Sequence, residues 1–166
     1  RRRRRLMPIV SKKPPLRLAE MRERWWLNKD LPISDSGMLI ATFFLPISLC
    51  KRQNSKFGAK PWQASKDRKD TLGYMRLQRA PWSIPLAGRP YVRCIRFSAT
   101  EPDKYSDWAK VAIDCLCKTT KRSPNRLNLI FDDAPKYAEI DQQWRKAKAG
   151  EGFCVIEVWS GKEEPK

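Results

Sequence analysis

The chain contains no histidine. That absence removes the side chain most often used as a general base near neutral pH. Ser–His and Cys–His catalysis are excluded outright. Cysteine is odd in number, and five cannot all be paired into a disulfide framework. Cys115 and Cys117 form C-x-C, but no second pair stands at zinc-ribbon spacing. Without histidine, a structural zinc would need four of the five scattered thiols. The cysteines are expected to be reduced and mostly buried, as in a cytosol-like compartment. Long apolar runs are also missing. The longest, from Met38 to Cys50, is broken by Thr42, Pro46 and Ser48 and is too short to span a bilayer, so no membrane partner is expected. The opening Arg1–Arg5 is followed by Leu6, Met7 and Pro8, which is not the pattern of a secretory signal.

What the chain has in abundance is positive charge. Its 166 residues, the size of one domain, carry a net +17. A field of that size attracts polyanions, and nucleic acid is the commonest. A basic tail alone does not account for it, because Lys51–Arg52, Lys66–Lys69, Arg76–Arg79 and Lys118–Arg122 spread the charge along the chain.

Residues 1–37 read as a basic arm with a short helix: Arg1–Pro15 is extended or disordered, and Leu16–Lys29 places Leu18, Met21, Trp25 and Trp26 at helical spacing. Packing is the preferred role for the two tryptophans over base stacking. The main domain is expected over 38–160, with a flexible tail at 161–166. Met38–Cys50 reads as a first core strand leaving through Pro46. Lys51–Lys60 reads as a basic loop, and Gln63–Gln78 as a short helix packing through Leu72, Met75 and Leu77. Tyr91–Ala99 alternates into a strand with Arg93 and Arg96 on a basic face. Asp107–Thr119 is the clearest helix, with Trp108, Val111, Ala112, Cys115 and Leu116 as its apolar stripe. Asp107, Lys110 and Asp114 share a different face. Leu127–Phe131 reads as a short apolar strand and Phe153–Trp159 as the last one. The order predicts an α+β fold, a small mixed sheet flanked by helices.

Two acidic groups interrupt the basic background: Glu101-Pro-Asp103, followed by Asp107, after one strand, and Asp132-Asp133 after the Leu127–Phe131 run. If the strands are neighbours, their carboxylates converge. Hard cations such as Mg²⁺ take oxygen ligands. Held by Glu101, Asp103, Asp132 and Asp133, such a cation would activate water against a phosphodiester. Lys110 would stabilise the developing charge. Each element has a plainer reading alone: Glu101 or Asp103 as a helix cap, Asp132–Asp133 as a turn, and Asp107, Lys110 and Asp114 as a solvated salt-bridged face. The combination is what favours a site.

At these residues the sequence resembles the RusA family of Holliday-junction resolvases. The matching text is Glu101-Pro-Asp103, Lys110, Asp114-Cys-Leu116 and LIFDDAPKYAEI from Leu129 to Ile140, followed by Trp144–Lys148 and FCVIEVW. Phe43–Asn54 resembles the family's first strand and its exit into a basic loop. The likeness runs from Met38 to Trp159 and is strong only from Arg89 onward. Glu101 stands where the family usually has Asp, and Lys104 where it commonly has Asn. Asp103 is the second acid in a longer spacing; in a shorter one Asp107 occupies that neighbourhood, beside Ser106. We prefer Asp103, which keeps the acid-x-acid pattern.

The resemblance implies a homodimer that cuts branched DNA with symmetric nicks. Mg²⁺ would serve at each site, with Mn²⁺ as a substitute, Asp103, Asp133 and Lys110 would be catalytic, and no small-molecule substrate is expected. Lys51, Arg52, Lys56 and Lys60, with Lys66, Arg68, Lys69, Arg76 and Arg79, would follow the DNA backbone without reading sequence, and Arg93 and Arg96 would join them. The expected location is the cytoplasm, close to DNA. Two other readings stay open. One is a non-enzymatic nucleic-acid-binding protein, such as a degenerate homologue or a ribonucleoprotein component. The other is a basic scaffold whose acids only cap.

Overall fold

The computed structural model describes residues 16–27, 33–50 and 61–162. The elements run α1 (Leu18–Leu27), β1 (Leu39–Pro46), a 3₁₀ turn (Ile47–Leu49), α2 (Pro61–Gln78), β2 (Tyr91–Ser98), α3 (Lys110–Leu116), β3 (Glu139–Lys146) and β4 (Phe153–Trp159). The strands form one mixed sheet in the order β1-β4-β2-β3. Only β2 and β3 are parallel, and α3 lies in the crossover between them. The fold is α+β, as the element order predicts. Among the described residues no helix is long and apolar enough to cross a membrane.

Two-sided burial explains why the inner strands are apolar with little alternation. Every residue of β4 is buried. On one face Phe43 and Leu45 of β1, Val92 and Cys94 of β2, and Cys154, Ile156 and Val158 of β4 form the main core with Met75 of α2 and Ala112 and Leu116 of α3. On the other face Phe44, Ile95, Phe97, Phe153 and Val155 pack against Met21 of α1. Phe97 stacks on Phe153 at 4.6 Å and meets the edge of Trp25 at 6.2 Å. The helix expected in the arm is therefore a cover for the second face of the sheet. Trp25 packs as expected, while Trp26 stays exposed.

Both sheet edges are managed. Phe44, on edge strand β1, donates its N–H to Gln78 Oε1 (2.8 Å), and its carbonyl accepts from Gln78 Nε2 (2.8 Å). One amide from α2 thus satisfies two backbone groups that an edge leaves open. The other edge, β3, is polar: EIDQQWRK.

Several expectations are corrected by packing. Leu77 of α2 is exposed, although Met75 is fully buried and Leu72 packs on the core. Arg93 is 4% exposed and ion-paired to Glu157, its directly opposite neighbour on β4. Trp159 covers the guanidinium at 5.7 Å. Arg96 is half-buried and donates to the Cys50 carbonyl. Arg93 and Arg96, three residues apart, fall on opposite faces of β2, so the single basic face expected there does not form, and Arg93 is not available to a nucleic-acid backbone. Leu127–Phe131 is not a ladder strand; it makes a single bridge, Ile130 with Cys117. The strand after it is β3, which the sequence reading passed over. At the expected start of the tail, Gly161 is buried and its N–H bonds Ser36 O at 2.9 Å. Its φ is +87°, and an added Cβ would lie 2.3 Å from Arg89 O, so only glycine fits. The extended or disordered start expected at Arg1–Pro15, the basic loop expected at Lys51–Lys60 and the last residues of the expected tail lie outside the described residues.

Candidate functional site

The site is built on two short pieces of chain held against each other. α3 begins at Lys110, later than the apolar stripe predicts, and Ala109 precedes it without any side-chain cap. The capping role considered for Glu101 or Asp103 is therefore not realised on α3. The second piece is the Leu127–Ile130 run. Leu127 N–H bonds Cys115 O (2.8 Å), and Leu129 N–H bonds Leu116 O (2.8 Å), which fixes the run to the end of α3. On its other side, Trp82 and Leu86 donate to Leu127 O (2.9 Å) and Leu129 O (2.8 Å). Asn128 sits at φ 58°, a conformation Asn tolerates better than most residues. Its amide donates to Trp82 O (2.9 Å) and Ser83 O (3.1 Å) and accepts from Thr119 N–H (3.2 Å). The clamp delivers Asp132 and Asp133 to the first turn of α3.

There Lys110 pairs with two acids. Its Nζ lies 3.1 Å from Asp114 Oδ1 and also donates to Asp133 Oδ2. Asp133 N–H bonds Asp132 Oδ1 at 2.8 Å. The Lys110 contact, foremost, holds the Asp133 carboxyl below its ordinary value. The same hydrogen bond, with help from Asp114, raises the Lys110 ammonium above its own. Both are therefore charged at neutral pH. Nearby, burial pushes the Cys115 and Cys117 thiols up to about 12, so they are protonated and not nucleophilic at neutral pH.

The structure brings together Lys110, Asp114, Asp132 and Asp133. It does not bring Glu101 and Asp103 into that contact. They line a neighbouring cleft of about 830 Å³ with Asp107, Tyr105 and, across from them, Gln142 to Trp144 of β3. Among the described residues no three of Cys, Asp and Glu gather as a ready metal cluster. The expected convergence of four carboxylates is thus only half assembled. The loop carrying the first pair does lead into α3, since Lys110 N–H bonds Asp107 O at 3.1 Å.

Of the residues expected along nucleic acid, Lys66, Arg68, Lys69, Arg76 and Arg79 are exposed on or just after α2. Lys51, Arg52, Lys56 and Lys60 lie outside the described residues. Sequence reasoning left Asp114 out of the site, although its i+4 spacing from Lys110 signalled the ion pair. It counted Arg122 only as part of a basic run and passed over Arg126, the two lying on either side of Ser123-Pro124-Asn125, and it passed over Asn128, whose clamp depends on tertiary contacts. No family model matches the chain, and neither a curated protein nor a solved structure matches it.

Proposed function

We propose that the chain is a Mg²⁺-dependent endonuclease that binds branched DNA and hydrolyses its phosphodiester backbone, in the manner its resemblance to RusA-type resolvases implies. The observation that carries this reading is the meeting of Lys110 with Asp133, residues 23 apart in sequence and in the motif order of that family. Carboxylate oxygens suit a hard cation, and Mg²⁺ usually takes one or two carboxylates together with waters and substrate phosphates. Asp132 and Asp133 meet that requirement without a closed cage, and Asp103 and Glu101 stand on the adjoining loop. The cation, when bound, contributes Lewis-acid stabilisation of charge on the phosphoryl oxygens. Lys110, kept protonated by Asp133 and Asp114, offers its ammonium to the scissile phosphate or the leaving oxygen. The net +17 favours DNA from a distance. A homodimer would match the two-fold symmetry of a four-way junction.

The test is incubation of an end-labelled synthetic four-way junction with the protein and Mg²⁺ or Mn²⁺. Paired nicks on opposing strands, lost on adding EDTA, are expected. The position of Glu101 and Asp103, outside the Lys110–Asp133 contact, favours a second reading: a nucleic-acid-binding homologue without catalysis. Steeply salt-dependent binding with no nicking in either metal would select it.

A further inference from the structure

A second cleft, of about 330 Å³, lies between α2 and the loop that follows α3. Arg68 and Lys69 of α2 form one wall, and Arg122 and Arg126 form the other. Cys115 and Leu72 line the cleft between these two walls. The one acid lining it is Asp114, and that carboxylate is already matched by Lys110 at 3.1 Å. Four cations therefore face a groove lined by a single carboxylate, which shares the Lys110 ammonium with Asp133. The same Asp114 joins the groove to the Lys110–Asp133 contact.

We infer that this cleft seats consecutive phosphates of a nucleic-acid strand and leads that strand to Lys110 and Asp133. The chemistry is that of backbone phosphate. Arginine presents a planar fork that binds phosphate oxygens in pairs, and arginines on facing walls can grip a strand from both sides. Like charges crowded at a groove repel one another, and a polyanion relieves that repulsion. The inference rests on the nucleic-acid-binding part of the proposed function and is independent of catalysis.

The experiment measures DNA affinity against salt in EDTA, so that no cleavage intervenes. Removing one cation that neutralises a phosphate makes the log–log slope shallower by about 0.9. Arg122→Gln with Arg126→Gln should flatten the slope by about 1.8, and Arg68→Gln with Lys69→Gln should do the same from the opposite wall. The second pair guards against a folding defect, because Arg126 also bonds Lys118 O (3.4 Å) whereas Arg68 and Lys69 are exposed on α2. Arg17→Gln with Arg22→Gln removes equal charge on the far side of the sheet and should leave the slope near wild type. If that control flattens the slope as much as the cleft variants do, the effect is bulk charge and the cleft assignment is overturned, while DNA binding stands. A wild-type protein with no measurable DNA affinity overturns both the cleft and the reading beneath it.

Discussion

Lys110 and Asp133 hold one another in their charged forms, and this fixes how the pair responds to pH. Asp133 titrates below its ordinary 3.8 in the folded protein, so its contribution to stability is present above that value and is lost as pH falls through the lower folded value. Lys110 titrates above its ordinary 10.5, so its contribution is complete below 10.5. The stability gap between wild type and Asp133→Asn should be flat through the neutral range and close as pH drops below 3.8. Both side chains are partly open to solvent, so the gap should be under about 1 kcal/mol, read by urea denaturation at several pH values. Activity is a different matter. Lys110→Met should cut nicking by about 100- to 1,000-fold, the usual loss when one transition-state charge partner is removed, with junction binding little changed. Arg93 shows the opposite balance. Removing it strands Glu157, so Arg93→Leu should cost about 3–5 kcal/mol, while Arg93→Leu combined with Glu157→Leu should recover most of that loss. Recovery of nothing would show that the pair is not what the substitution disrupts.

At the level of elements, the site depends on the Leu127–Ile130 run more than on any helix. Asn128→Ala removes three part-buried hydrogen bonds, to Trp82, Ser83 and Thr119, at a cost of about 2–3 kcal/mol. It should also lower nicking, because the run aims Asp132 and Asp133; unchanged nicking in the folded variant would detach the clamp from the site. The apolar strands β1, β2 and β4 could be read from the sequence because burial on two faces leaves an unmistakable composition. β3 could not, since an edge strand such as EIDQQWRK gains its place from backbone pairing with β2 and carries charge against unwanted pairing. Lys110 and Asp133 were legible as residues with the right chemistry. Their contact was not, because it is made by loop hydrogen bonds that no local pattern announces. The expected role of Arg93 failed for a different reason: strand alternation sends Arg93 and Arg96 to opposite faces, and both faces of β2 are covered by core.

For the whole molecule, one sheet with both faces covered explains why residues before Met38 matter to stability. Met21 is fully buried on the second face, and Met21→Ala should cost about 2–5 kcal/mol in a denaturation experiment. A truncation that removes α1 should expose Phe44, Phe97 and Phe153 together and reduce solubility. Charge works at the same scale: in the proposed function the excess of cations would draw a polyanion to the surface, and the small acidic centre at the start of α3 is where chemistry would be done. The most direct measurement of that claim compares wild type with Asp133→Asn on a labelled four-way junction in Mg²⁺, alongside a binding titration of each. The account predicts that the variant binds the junction like wild type and leaves it uncut. Cleavage at the wild-type rate by folded Asp133→Asn would contradict it.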